Sequence, residues 1–443
     1  MNNIAVDNSN NKSSAAPRSV AVIGAGIIGV NCALELQSLG FQVTLIDKSG
    51  IGEGCSKANA GHFATEQVFP LAEVSLLWQL PKLLFNPLGP MALSPKYFPK
   101  ALPWFLKFIG NMFTTKRAKN SQALRAINQH AIDYYKPLLR AAGAEHLLTT
   151  KGSLLVFESK NRNDAVKAFE HYKSAGIAVK LLDRAQTLLL EPNLSANIHY
   201  SLYFTEVAHT ANPFEICQVL SQQALQIGAQ QIHAAVSDIN PVNDQVEISM
   251  QSSADTTSSP EVRTQVFDAV VIATGAWSKP LLAKLGYKLP IEAERGYSLD
   301  LAKNSSPQLN RPVASAERKF IITPMSHGLR LAGTVEFAGL EAPENMQRAD
   351  MLFENAKHLL TELPHSCKKD SNEEKRWMGC RPSLPDSLPV IGQATKHNSI
   401  YFALGHQHLG LTLGAITGKL IGQVMSNQKT DIDISPFSIK RFN

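Results

Sequence analysis

The sequence predicts an α/β protein in which a Rossmann-like dinucleotide-binding domain is interleaved with an α+β cap domain built on a mixed or antiparallel sheet. Three observations predict it: a glycine fingerprint between two apolar runs near the N-terminus, a later apolar run ending in small residues near position 270, and two long excursions between segments of this kind.

The fingerprint comes first. Residues 20–29 read Val-Ala-Val-Ile-Gly-Ala-Gly-Ile-Ile-Gly, and Asp47 closes the next apolar run, Gln42-Val-Thr-Leu-Ile-Asp47. Gly24 makes the turn, Gly26 lets the backbone approach a pyrophosphate, and Gly29 lets the helix lie close on the sheet. Ile27 and Ile28 open that helix, whose positive end faces the phosphates. Asp47, with Lys48 beside it, is placed to hold the adenosine ribose hydroxyls. With strand, turn, helix and carboxylate all at the expected offsets, the chain binds a dinucleotide.

The segments that follow favour FAD over NAD. In the run Gly54-Cys-Ser56-Lys-Ala-Asn59-Ala60-Gly61-His62, small residues sit where a backbone must pass a flat isoalloxazine ring. Asp268-Ala-Val-Val-Ile-Ala-Thr274-Gly275-Ala-Trp277 is an apolar strand and small-residue turn that returns the chain beneath the cofactor, with Val236 on the preceding run also against it. Gly379-Cys-Arg381-Pro-Ser-Leu-Pro-Asp386 leads through Pro389-Val-Ile-Gly392 into Gly405-His406-Gln-His408-Leu-Gly410-Leu411-Thr412 and an apolar helical run. That places backbone amides and a helix start where a reduced flavin carries negative charge. No second glycine fingerprint exists, which disfavours a nicotinamide dehydrogenase.

From about residue 19 to the C-terminus the chain resembles the D-amino-acid oxidase superfamily of flavoproteins, most of all bacterial D-amino-acid dehydrogenases. The motifs that carry the resemblance are Ser56-x-x-Asn-Ala-Gly61, Lys151-Gly-Ser-Leu, Glu191-Pro-Asn-Leu, the Ala-Thr-Gly-Ala-Trp-Ser run, Gly333-Thr-Val-Glu336, and Gly379-x-Arg-Pro followed by Pro-Asp. It implies an FAD enzyme that oxidises a small D-amino acid to its imino acid and hands electrons to a quinone or another carrier. Secondary amines such as D-proline, hydroxy-D-proline, sarcosine or glycine stay open as substrates.

Composition bounds the rest. At 443 residues and 44% hydrophobic content the chain is long enough for two domains with sizeable cores. A net charge of +6 without a Lys/Arg block or basic–aromatic interleaving gives no nucleic-acid footprint. The five cysteines are scattered and lack C-x-x-C spacing, so neither zinc nor a disulfide framework is expected, and a reducing compartment fits. Oligomeric state leaves no mark.

In order along the chain, residues 1–18 read as a disordered tail without the apolar core of a secretory signal. Segments 19–75, 205–290 and 376–443 are assigned to the FAD-binding domain, and 76–204 and 291–375 to the cap. Within the cap, 76–115 combines Leu, Phe and Trp with prolines and lysines, and Lys116, Arg117, Lys119 and Arg125 follow at once. No stretch reaches the roughly 18 apolar residues of a membrane span. Two readings stay open: short helices dipping into an anionic headgroup layer, or a cap core of Pro-capped helices. A cytoplasmic protein is expected on either reading, and the first holds it peripherally at the inner face of the cytoplasmic membrane, with quinone as its acceptor. Leu124, Ile127, Ala131, Tyr134 and Leu138 fall on a helical stripe broken near Pro137. Ser153–Phe157 and Val179–Leu182 read as cap strands, Asn212-Pro213 opens a helix ending at Gly228, and residues 251–260 form a polar hairpin loop.

Removing hydride from a carbon that bears an amine requires a pinned carboxylate, a neutral nitrogen and a C–H bond facing the flavin. A planar guanidinium suits the carboxylate, and Arg381 is the candidate. The resemblance implies the same, since Gly-x-Arg-Pro supplies the carboxylate-binding arginine in D-amino-acid and glycine oxidases. A structural ion pair is its alternative. His62, His406 and Tyr297 are further catalytic candidates, with His408 against the cofactor; packing roles compete for each. No general base for the amine is evident. In sarcosine oxidases, a more distant resemblance, a Gly-x-Lys-x-Gly setting carries a lysine that assists reaction with oxygen. Here Gly328-Leu-Arg330-Leu-Ala-Gly333 puts an arginine there, which favours a dehydrogenase. Cys380 stands one residue off the register of the cysteine that tethers flavin in those oxidases, so covalent attachment is not expected. The alternative of another class is an electron-relay FAD subunit of a larger complex, which would lack a carboxylate anchor.

Overall fold

A computed structural model of the chain describes residues 18–73, 89–252, 262–303, 306–363 and 374–442. Among these residues one sheet runs, in spatial order, Val262–Phe267, Gln245–Ser252, Gln230–Val242, Gln42–Asp47, Ser19–Ile23, Ala269–Ile272, Ile400–Leu404, Val390–Gln393. Its centre is parallel: Val20 pairs with Val43 on one side and Ala269 on the other, and Val270 with Ile400. Strands covered on both faces read as unbroken apolar runs, which is why Val20–Ile23 and Ala269–Ile272 are buried throughout.

The helices Ile27–Ser38 and Gly410–Met425 pack on one face of that sheet and on each other. Small residues make the contact close. A methyl at Gly418 would stand 2.5 Å from the Asn31 carbonyl oxygen, and one at Gly414 would collide with the Tyr135 hydroxyl.

The second sheet runs Glu374–Ser383, Glu292–Ala302, Gly328–Phe337, Phe320–Met325, Val313–Ser315, Ser153–Phe157, Tyr200–Phe204, Val179–Asp183, with Met91–Leu93 beside Gly328–Phe337. It is mixed and mostly antiparallel, and the helix Gln347–Leu359 covers it through Leu352, Phe353 and Ala356.

Three details differ from the sequence reading. The strand Glu374–Ser383, expected with the FAD-binding segments from residue 376, belongs to the cap sheet, where it pairs with Glu292–Ala302 along its length. The helices Thr114–Asn128 and Ala131–Ala141, expected in the cap, bury Leu124, Ile127, Tyr135 and Leu139 in one core with Val30, Leu34, Leu413 and Ile416, and the Tyr135 hydroxyl donates to the Leu411 carbonyl at 2.6 Å. The break between them falls at Gln129–His130, while Pro137 lies inside the second helix. The tail at 1–17, residues 76–88 of the apolar segment and most of the 251–260 loop lie outside the described residues.

Alanine in place of Gly418 favours an isolated helix by about 1 kcal/mol. Against the Asn31 backbone it overpacks, at a cost of about 1–3 kcal/mol. Gly418→Ala is expected to lower the urea midpoint of the holoprotein without changing the transition slope.

Candidate active site

Both sheets border one cavity of about 1590 Å³. A usual small-molecule pocket holds about 300–1,000 Å³, so this space accommodates a dinucleotide together with a small substrate. Of the residues expected to bind the cofactor, all line it except Gly29, Gly61 and Thr412.

Those exceptions act from behind the wall. A side chain on Gly29 would strike the Gly24 carbonyl, so its part is the close helix–turn approach. Gly61, at φ +68°, lies against the Thr210 carbonyl and the Met325 side chain. The Thr412 hydroxyl accepts from the Ala64 amide at 2.9 Å.

The cradle fits an FAD pyrophosphate and ribose. Gly24 has φ +101° and a Cβ there would stand 2.5 Å from the Ala273 carbonyl oxygen, whereas a Cβ on Gly26 meets nothing nearer than Ser56 Oγ at 3.5 Å, so that side is open. The Ser56 hydroxyl accepts the Ile27 amide at 2.9 Å, doing for this helix what an N-cap side chain does elsewhere. Asp47 ties the turn to its strand by accepting the Ala25 amide at 2.8 Å and the Ser49 amide at 2.7 Å. Lys48 lies 5.2 Å over the Trp277 ring, and Val236, Thr274 and Gly275 continue that wall.

The segment that should underlie the flavin ring is held from both ends. Asn59 Oδ1 accepts the Gly61 amide at 2.9 Å, while Arg330 donates to the Asn59 carbonyl at 2.8 Å and grips Asp300 with two bonds of 2.6 and 2.8 Å. Burial pushes the Asp300 carboxyl up, but hydrogen bonds from Arg330 and His327 outweigh it and hold the pKa below its ordinary value.

Arg381 stands opposite Glu294 in the ladder between Glu292–Ala302 and Glu374–Ser383. Its Nη1 donates to Glu294 Oε1 at 3.1 Å and to the Thr334 carbonyl at 3.3 Å, and the Ser383 hydroxyl donates to Glu294 Oε2 at 3.2 Å. The guanidinium rests on Gly296, where any side chain would collide with it. Among the described residues no acceptor meets Nε or Nη2, so the edge that pairs with a carboxylate through two parallel bonds is open, and it lies on the cavity.

The other catalytic candidates separate. The Tyr297 hydroxyl donates to Glu336 at 2.6 Å and accepts the Asn345 amide at 3.2 Å, so it is satisfied within the cap, and burial pushes its pKa up to about 12. His406 is buried with Nε2 on the Thr417 hydroxyl at 3.0 Å, and burial lowers its pKa to about 3, which disfavours the imidazolium. His408 shares the cavity with Arg381, Glu294, His62 and Glu66, and burial lowers its pKa too. His62 Nε2 contacts Glu66 Oε1 at 2.9 Å. Cys380 is buried with its thiol toward Met378 at 3.8 Å. Sequence reasoning missed Glu294 and Glu66; the spacing of four from His62 to Glu66 was the one available signal.

The fingerprint, the cradle and the shared cavity agree with the comparisons. The profile of the DAO family, FAD dependent oxidoreductases, matches residues 19–424. The chain belongs to this family. It is 34% identical over 428 residues to a D-amino-acid oxidase of Bradyrhizobium diazoefficiens, covering 96% of this chain and 99% of the relative. It is 27% identical over 431 residues to a D-amino acid dehydrogenase of Rhizobium rhizogenes, covering 96% and 99%. A glycine oxidase from Geobacillus kaustophilus superposes with a TM-score of 0.68 at 22% identity, covering 96% and 99%, a likeness of fold. This DAO-family protein is therefore an FAD-dependent oxidoreductase.

Gly26→Val leaves the empty fold room for its side chain but fills the space of the pyrophosphate. The variant is expected to purify with wild-type far-ultraviolet circular dichroism and without yellow colour; a yellow Gly26→Val protein contradicts the cradle.

Proposed function

We propose that this DAO-family enzyme oxidises a small D-amino acid to its imino acid, which water converts to a 2-keto acid and ammonia, with the electrons passing to a quinone or another carrier. The observation that carries the proposal is the open edge of Arg381 on the cavity that the cofactor cradle also borders. Glu294 holds one edge of the guanidinium, and the substrate carboxylate takes the other, within the cavity that Asn59 and Ala60 also line. Bound FAD supplies the acceptor for the hydride. The D configuration is supported by the relatives named D-amino-acid oxidase and D-amino acid dehydrogenase. An electron-relay subunit has no use for such an anchor.

For the acceptor, two observations favour a lipid-dissolved quinone. The helix Phe98–Gly110 exposes Phe98, Leu102, Leu106 and Ile109 at i, i+4, i+8 and i+11, and Phe113 just beyond is 67% exposed. No Asp or Glu occurs between Glu73 and Asp133, whereas Lys96, Lys100, Lys107, Lys116 and Lys119 do. An apolar stripe among cations suits the surface of an anionic bilayer. The same helix lines the cavity with Trp104, Phe105 and Phe108, so one element stands between lipid and cofactor. No described helix is long and apolar enough to cross a membrane. Arg330, bonded to Asn59 and Asp300 where an oxygen-assisting lysine would stand, favours a dehydrogenase. The relative named an oxidase makes oxygen the competing acceptor.

Anaerobic bleaching of the flavin by D- but not L-amino acids tests the reaction. Arg381→Leu is expected to lower kcat/KM roughly a hundredfold or more, and unchanged saturation by substrate overturns the assignment. In flotation with phosphatidylglycerol-containing vesicles, wild type is expected to bind and the Leu106→Glu, Phe113→Glu double variant to stay behind with its dye-linked activity intact. Peroxide formed at the turnover rate in air, with no quinone reduction, contradicts the acceptor.

A further inference from the structure

Two side chains of the strand Glu374–Ser383 lean toward each other over a pair of glycines. Gly379 and Gly296 are directly opposed in the ladder with Glu292–Ala302. A methyl on Gly296 would strike the Arg381 guanidinium, and one on Gly379 would strike Cη2 and Cζ3 of Trp377. The cation therefore covers one glycine and the benzo end of the indole covers the other. Directly opposed residues stand about 4.5–5.5 Å apart, which sets the indole beside the guanidinium. Trp377 is half-buried and lines the cavity, so its ring is open to a molecule held there.

The surroundings of the anchor differ in chemistry from one side to the other. Around Nη1 lie the Glu294 carboxylate, the Ser383 hydroxyl bonded to it and the Thr334 carbonyl, all polar. Toward Trp377 the cap sheet presents a row in which each residue opposes the next: Trp377, Ser298, Ala332, Ile321, Ala314 and Leu155. All six line the cavity and none carries a charge. Ser298 and Ala332 are short, so the floor beside the indole stays low. The far end of the row meets His62 and Glu66, which are bonded to each other and border a small cavity with Ile321, Ala314 and Leu155. An amino acid pinned at Arg381 has one charged and one variable group left to place. The ammonium belongs with the carboxylate and carbonyl oxygens, and an alkyl side chain gains most by leaving water on the indole.

We propose that Trp377 is a specificity-determining residue: its indole is the surface on which the substrate's side chain packs, so the enzyme takes amino acids with neutral, apolar side chains and ranks them by the length of carbon chain laid on the ring. A rigid aromatic surface offers a large apolar area. An acidic side chain meets Glu294 at one end, Glu66 at the other and no cation in the row between. The proposal rests on the amino-acid oxidation reading above.

The test uses the FAD-loaded enzyme and straight-chain substrates. kcat/KM is measured by anaerobic dye reduction for glycine, D-alanine, D-2-aminobutyrate and D-norvaline in wild type, Trp377→Phe and Trp377→Ala. Wild type is expected to gain about fourfold for each methylene beyond D-alanine. Trp377→Ala is expected to lose most of that gain, and Trp377→Phe, which keeps a smaller aromatic surface, to keep about half of it on a logarithmic scale. D-leucine is expected to exceed D-aspartate, which has a similar branched shape, by about a hundredfold or more in wild type. Calorimetric titration of the same proteins with propionate, butyrate and pentanoate reads the indole surface apart from turnover, and the affinities are expected to follow the same slopes. Either variant decides on its own, since a wild-type slope in it overturns the proposal. A loss in Trp377→Ala as large for glycine as for D-norvaline also overturns it, because the ring would then be a packing element or a seat for the ammonium. So does turnover of D-aspartate at the level of D-leucine. Failure of every amino acid to bleach the wild-type flavin overturns the underlying reading instead.

Discussion

Glu294 and Arg381 face each other across an antiparallel ladder, and the direction of the guanidinium follows from that register. Shifting either strand by one residue would turn its side chain to the opposite face of the sheet and take the cation out of the cavity. The ion pair is 7% exposed on the Glu294 side and 24% on the Arg381 side, so it is sheltered enough for direction to matter more than for an ordinary surface pair. By occupying Nη1, Glu294 leaves the opposite edge as the place where a second carboxylate can bind. Gly296 beneath the guanidinium, at the pairing position of Gly379, is part of the same constraint, because no other residue leaves room.

The cavity exists because the chain crosses between two sheets several times. The cradle for the dinucleotide is built from residues 24–56, the wall beneath it from 236 and 273–281, and the helix start that closes it from 405–411. All but residue 236, which lies within the strand Gln230–Val242, follow the carboxyl ends of parallel strands, where open α/β sheets bind ligands. The cap sheet contributes Glu294, Tyr297, Phe320 and Arg381 from the far side. Arg330 joins the two halves, since one guanidinium bonds both Asp300 in the cap and the Asn59 carbonyl beside the cofactor.

The parts legible in the sequence were those whose physics is local. Strand, turn, helix and carboxylate lie within residues 19–47, so their spacing alone identified a dinucleotide cradle. Arg381 was legible as a residue type in a motif, but its partner was not, because Glu294 lies 87 residues away and the ladder register brings them together. The segment from residue 376 was assigned to the FAD-binding part because it leads on to Gly405–Thr412; that Glu374–Ser383 is the outermost strand of the cap sheet follows from its pairing with Glu292–Ala302, distant in the chain, and an edge position is where Pro382 is tolerated. Tyr297 and His406 were plausible substrate contacts by type; Glu336 and Thr417, which satisfy them, could be found only in three dimensions. The helices Thr114–Ala141 carried the right apolar stripe, but a stripe does not say which core it faces.

What distinguishes an anchoring arginine from a structural one is whether its free edge accepts an anion. Titrating the flavin absorbance of the FAD-loaded enzyme with a simple carboxylate and with the primary amide of the same acid, in wild type and Arg381→Lys, measures this most directly. The account predicts saturable perturbation by the carboxylate, little or none by the amide, and loss of most of the difference in Arg381→Lys, where a point charge replaces the two-pronged edge. Equal binding of acid and amide, or full carboxylate affinity in Arg381→Lys, would contradict it.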